Sequence, residues 1–138
     1  MSAIISVNAH YQAIIDKNLS EILNKYVVSE ETYVILEGPR LTTIGFEKIQ
    51  KGWTDFCASS IKLQAIEWTE GPFSEESQDM AWVAGIIRLA VEINGNAFEN
   101  IFRASFVLKK LPSTQNWQIK HEHVSVVHND PYGVGDWS

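Results

Sequence analysis

The C-terminal half of the chain contains three long runs of strand-forming residues, and no other feature narrows the fold as far. Met80 to Ile93 is nearly all apolar and ends at Asn94-Gly95, a pair that accepts the positive φ angles of a tight hairpin. Ala97 to Leu111 pairs naturally with it. Leu111-Pro112-Ser113-Thr114-Gln115-Asn116 then turns the chain into Trp117 to Val127. Runs of roughly 12 to 15 residues exceed the ~5–6 of an ordinary strand, so a sheet built from them must bend. Gly85 is the candidate kink or bulge.

Helical periodicity is confined to the other half. Ile4, Val7, Tyr11, Ile14 and Ile15 recur at three- and four-residue steps, and the stripe resumes at Leu19, Ile22, Leu23 and Tyr26 behind Asn18, a capping residue with Glu21 three positions on. Thr32 to Leu36, the turn Glu37-Gly38-Pro39 and Leu41 to Ile44 read as a short hairpin. Phe46, Ile49, Trp53, Phe56 and Cys57 then define a third helix that ends near Ser59. Ile61, Leu63 and Ala65 alternate as a strand. Glu70 to Asp79, polar and broken by Gly71-Pro72, reads as a loop. Helices first and an antiparallel meander after them predict an α+β fold: a cone-shaped, curved antiparallel sheet wrapped around the N-terminal helices, with a small-molecule pocket at its mouth. Residues 1–127 form the domain and 128–138 a tail containing Pro131, Gly133 and Gly135.

Composition excludes several functions. A chain of 138 residues that is 45% hydrophobic fits one compact domain. Its net charge of −6 opposes phosphate backbones and anionic lipid, so nucleic acid and membrane are not expected partners. Cys57 is the one cysteine, which rules out an internal disulfide and fits a reducing compartment. Met1 to Ser6 lacks a basic, apolar leader, and nowhere do ~18 apolar residues run together. The expectation is a cytoplasmic protein. Phe98, Phe102 and Phe106 share one strand face while Ile101, Ala104, Val107 and Leu108 spread apolar character over both, which predicts a homodimer through the convex sheet face.

Few residues carry chemistry. Arg88 and Arg103 lie within apolar strands, a costly place for a guanidinium without a carboxylate partner such as Glu99, Glu92 or Glu122, or a carboxylate ligand. His121 and His123 alternate along one strand and share a face. They are either packed rings or a general acid or base. Nothing supplies a third metal ligand at suitable spacing, so no metal is expected. Cys57 reads as a core thiol, and Trp53, Trp82 and Trp117 as core or pocket wall. His10 and His128 read as surface positions. There is no nucleophile elbow, phosphate loop or dinucleotide fingerprint, and no cofactor is expected.

Four stretches together resemble a known family: Tyr11-Gln12-Ala13-Ile14-Ile15-Asp16-Lys17-Asn18, Gly45-Phe46-Glu47-Lys48-Ile49, Asp79-Met80-Ala81-Trp82-Val83 and, most specifically, Trp117-Gln118-Ile119-Lys120-His121-Glu122-His123-Val124-Ser125. The chain is similar to the SnoaL-like branch of the nuclear-transport-factor-2-like superfamily, which also resembles the association domain of calcium/calmodulin-dependent kinase II and, distantly, the ketosteroid isomerases. That superfamily holds isomerases, cyclases, dehydratases and non-enzymes, so the likeness implies a pocket and commonly a dimer rather than one reaction. The isomerase resemblance places Tyr11 at the hydrogen-bond donor position. It aligns the base with Gly38, beside Glu37, and the second acid with Arg103, which disfavours steroid-type isomerisation. The resulting expectation is proton transfer, or addition or removal of water, on a carbonyl-bearing or carboxylated small molecule. Tyr11, Glu37 and His123 are the catalytic candidates, and Trp53, Arg88, Arg103, His121 and Glu122 the ligand-binding ones. The alternative is a non-catalytic oligomerisation or ligand-sensing module.

Overall fold

The computed structural model describes residues 2–127, so the predicted tail, with His128 and Trp137, lies outside the described residues. Helix α1 (Ala3–Ile15) begins at Ser2, whose hydroxyl accepts from the Ile5 amide at 3.2 Å, and its Ala3 amide donates to Glu76 at 3.0 Å. Helix α2 (Leu19–Asn24) starts at Asn18, which accepts from the Glu21 amide. Strands β1 (Tyr33–Ile35) and β2 (Thr43–Ile44) form the short hairpin, and α3 (Phe46–Ala58) follows. Strands β3 (Lys62–Glu76), β4 (Met80–Ile93), β5 (Asn96–Lys110) and β6 (Trp117–Ser125) complete the chain.

The α+β class agrees with expectation, but the cone does not. The six strands lie in the order β2-β1-β6-β5-β4-β3, and β1 pairs parallel with β6, so the sheet is mixed. It is also open and not strongly curled. Strands β2 and β3 stand at opposite edges with no ladder between them, and two- and three-residue strands at one side cannot close against a fifteen-residue strand at the other. The parallel pairing joins residues nearly ninety positions apart, Tyr33 with His121 and Ile35 with His123, and no local turn announces it.

The predicted loop at Glu70 to Asp79 is likewise corrected, because β3 continues to Glu76. Gly71 and Pro72 are absorbed as a bulge: Glu70 pairs with Ile86 and Phe73 with Ala84, so two residues oppose the single Gly85. An edge strand tolerates a proline, since no outer neighbour needs its missing N–H. Gly85 itself runs regularly against Ala104, and the irregularity belongs to β3. A Cβ on Gly85 would lie 2.3 Å from the Glu70 carbonyl oxygen, so the bulge requires a glycine opposite it.

Alternation assigns the two faces. Ala81, Val83, Ile87 and Val91 of β4 and Phe102, Ala104, Phe106 and Leu108 of β5 are buried toward the helices, with Val7, Tyr11 and Ile14 of α1 packed on them. The opposite parity sends Arg88, Ile101 and Arg103 to the outer face. Trp82 goes with them, 39% exposed, and is not the core residue expected. His10 is also corrected: it is 0% exposed, because it stands on the α1 stripe between Val7 and Ile14. Among the described residues no helix is long and apolar enough to cross a membrane.

Candidate functional site

A cavity of about 410 Å³ lies between the inner sheet face, α1, α3 and the β1–β2 connection, a size that suits a small organic molecule. Ile87, Leu89 and Phe102 of the sheet and Ile14 of α1 supply apolar walls. Helix α3 presents Lys48, Ile49, Gly52, Trp53 and Phe56, residues at three- and four-residue steps on one side of the helix. Gly52 faces open space, since a Cβ there would meet nothing within 4 Å. Four sequence-predicted residues meet in this cavity: Tyr11, Trp53 and Glu122 within it, and Glu37 at its edge.

Glu122 is 2% exposed, and its carboxylate accepts a hydrogen bond from the Tyr26 hydroxyl. Tyr26 in turn accepts from the Trp53 indole N–H at 3.0 Å and lies 3.3 Å from His10 Nε2. Its one proton goes to Glu122, which leaves Nε2 of His10 to donate to Tyr26. No hydrogen bond reaches Oε2 of Glu122 among the described residues. Burial raises the Glu122 pKa from 4.5 to about 7, against the opposing pull of the Tyr26 hydrogen bond. Burial, and then the charge of Lys25, lowers His10 from 6.5 to about 3, so its imidazole is neutral. Burial and the neighbouring Glu122 push both Tyr11 and Tyr26 upward, and both stay protonated. The Tyr11 hydroxyl is buried and has no hydrogen-bond partner among the described residues.

The remaining candidates stand elsewhere. Arg88 donates to Glu67 at 2.7 Å and to Glu99 at 2.8 Å on the outer face, one of them a partner the sequence offered. Arg103 donates to the Val126 carbonyl at 2.8 Å and, with His123, Ser105 and Ser125, lines an open outer groove of about 880 Å³. His121 stacks on Tyr33, ring centroids 5.4 Å apart, and bonds its carbonyl through Nδ1. The sheet therefore separates His121, His123 and both arginines from Tyr11. Glu37, exposed on the β1–β2 connection, borders both the cavity and the groove. Cys57 is half-buried beside the α3 stripe, and burial pushes its thiol up. Sequence reasoning missed His10 and Tyr26 as site residues, although His10 sits on the buried stripe of α1 and Tyr26, just beyond α2, is buried where it bridges to Ile119.

The SnoaL-like domain profile matches residues 5–129. No curated protein sequence matches the chain. Among solved structures, a nuclear transport factor 2-like superfamily protein of Salmonella enterica is similar, with TM-score 0.77 and 21% identity over 95% of this chain and 92% of that one. So are a ketosteroid isomerase-like protein of Erwinia carotovora, TM-score 0.74 and 12% identity over 91% and 93% of the two chains, and a Xanthomonas campestris protein provisionally described as a calcium/calmodulin dependent protein kinase II association domain, TM-score 0.68 and 17% identity over 88% and 82%. At these identities the structures speak for the fold, and the profile match supplies the family: the chain belongs to the SnoaL-like domain family.

Proposed function

We propose that the protein binds a small carbonyl-bearing molecule in the inner cavity and transfers a proton to or from it through Glu122. The observation that carries this reading is the Tyr11 hydroxyl, buried without a partner in the same cavity as the Glu122 carboxyl. A buried hydroxyl left unpaired costs about 1–3 kcal/mol, a cost removed when a ligand oxygen accepts its proton. In the proposed step Tyr11 donates to the carbonyl oxygen and stabilises the negative charge that develops there. Ionised Glu122 takes a proton from the adjacent carbon and returns it to carbon or oxygen. Tyr26, fixed by Trp53 and His10, aims the carboxyl group. A carboxyl group with a pKa near 7 is well matched to such work at neutral pH. Among the structural relatives, the Erwinia protein described as ketosteroid isomerase-like agrees with this class of chemistry. The lone thiol Cys57 fits a cytoplasmic setting.

The test is deuterium wash-in at the α-carbon of butyrophenone, followed by proton NMR across the pH range around 7. The proposal expects catalysed exchange that rises with pH through the Glu122 titration, falls at least a hundredfold in Glu122→Gln, and falls also in Tyr11→Phe. Exchange no faster than in buffer, or unchanged in Glu122→Gln, refutes it.

A second reading concerns the outer sheet face, where Phe73, Met80, Trp82 and Ile101 are exposed. The reading is that two copies meet there as a homodimer, whether or not the cavity is catalytic. The Xanthomonas relative described as an association domain is in keeping with an assembly role. Sedimentation at micromolar concentration checks it: a dimer that Trp82→Glu dissociates supports the reading, and a monomeric wild type overturns it.

A further inference from the structure

The cavity is uneven in charge, and the unevenness describes the ligand. Its deep end holds buried Tyr11 and Glu122 among apolar walls, whereas Arg40 and Lys48, both exposed, stand at its rim on the β1–β2 connection and the first turn of α3. Neither cation is paired among the described residues. By contrast Arg88 is held by Glu67 and Glu99, and Lys51, one turn from Lys48 on the same helix, is held by Asp55 at 2.8 Å. The position four residues after Lys48, where an acid would neutralise it, is Gly52. Glu37 is the acid on the same rim, so the rim carries two positive charges against one negative, on a chain whose net charge is −6. Local positive charge on an acidic protein, placed at a low-dielectric opening, focuses the field on anions. The deep end has the opposite preference, because a buried carboxyl repels a second anion and tolerates a neutral oxygen.

We infer that the ligand is an amphipathic monocarboxylate, its carboxylate held at the rim by Arg40 and Lys48 and its apolar body, ending in a neutral oxygen, directed inward to Tyr11. This rests on the reading of the cavity as the ligand site, and the experiment separates the two. Benzoylpropionate, an aryl ketone acid, and its uncharged primary amide are titrated by calorimetry at low salt into the wild type, the double variant Arg40→Gln/Lys48→Gln, and Gly52→Leu. The acid binds about fivefold more tightly than the amide to the wild type, as two partly exposed charge contacts allow. In the double variant the acid weakens to the level of the amide, whose affinity stays as it was. Gly52→Leu, which fills the open space beside α3, weakens both probes alike. Equal binding of acid and amide to the wild type, or a double variant that retains the preference, overturns the carboxylate inference and leaves the cavity reading intact. If neither probe binds the wild type, or Gly52→Leu leaves both affinities unchanged, the cavity reading itself fails and the inference with it.

Discussion

Replacing Glu122 by Gln makes the stability of the protein depend on pH in a way the wild type hides. Glu122 keeps its proton in the folded state up to about pH 7, while the unfolded chain releases it near 4.5, so this group lowers stability as pH rises from 4.5 to about 7. His10 acts in the opposite sense: the unfolded chain protonates it below 6.5, but the folded protein refuses the proton down to about 3, so stability falls as pH drops through that window. Each proton is worth about 1.4 kcal/mol per pH unit. Between 4.5 and 6.5 the folded and unfolded states therefore hold one proton each on this pair, on different residues, and the two slopes cancel. In Glu122→Gln only the His10 slope survives. Relative to the wild type, the variant gains about 3 kcal/mol of stability between pH 4.5 and 6.5. His10→Gln shows the mirror image and loses a similar amount over the same interval. Urea unfolding at matched pH checks both, and the difference from wild type removes every group that titrates alike in the two proteins. A pH-independent difference for either variant would refute the reasoning, because it would mean that the carboxyl ionises normally or that the imidazole accepts a proton inside the fold.

Three further substitutions separate function from structure. Tyr11→Phe removes a hydroxyl that has no partner, so unliganded stability stays the same or rises by up to about 1 kcal/mol in urea unfolding, even though the site loses its proposed donor. Gly52→Ala places a methyl group in open space inside α3 and adds about 0.5–1 kcal/mol, seen as a rise in melting temperature of about 2–4 °C. Gly85→Ala meets the Glu70 carbonyl oxygen at 2.3 Å, a backbone atom that cannot swing aside, and costs about 2–3 kcal/mol, with a lower urea midpoint as its readout.

Local pattern made the elements legible: the helical stripes, the Asn18 cap, the Asn94-Gly95 hairpin and the alternation of β4 and β5 are all present. The features that escaped depend on residues far apart in the chain. The parallel union of β1 with β6 leaves no mark near either strand, and the bulge that lets β3 pass through Gly71-Pro72 is permitted by Gly85 on a neighbouring strand.

The site turned on one such residue. Strict alternation from Trp117 and Ile119, both buried, carries His121 and His123 to the cavity and Glu122 to the outer face. In the structure Leu108 pairs with Ile119 but its neighbour Val107 pairs with His121, so Lys120 is an extra residue and the parity of β6 reverses beyond it. Glu122 then faces inward opposite Phe106, while the two histidines face outward opposite Val107 and Ser105. Without that bulge the cavity would present two imidazoles. With it, the cavity presents a single carboxyl group whose burial brings its pKa to about 7. A bulge of one residue therefore decides which chemical group meets the ligand, and the same nine residues would support a different acid–base site in the other register.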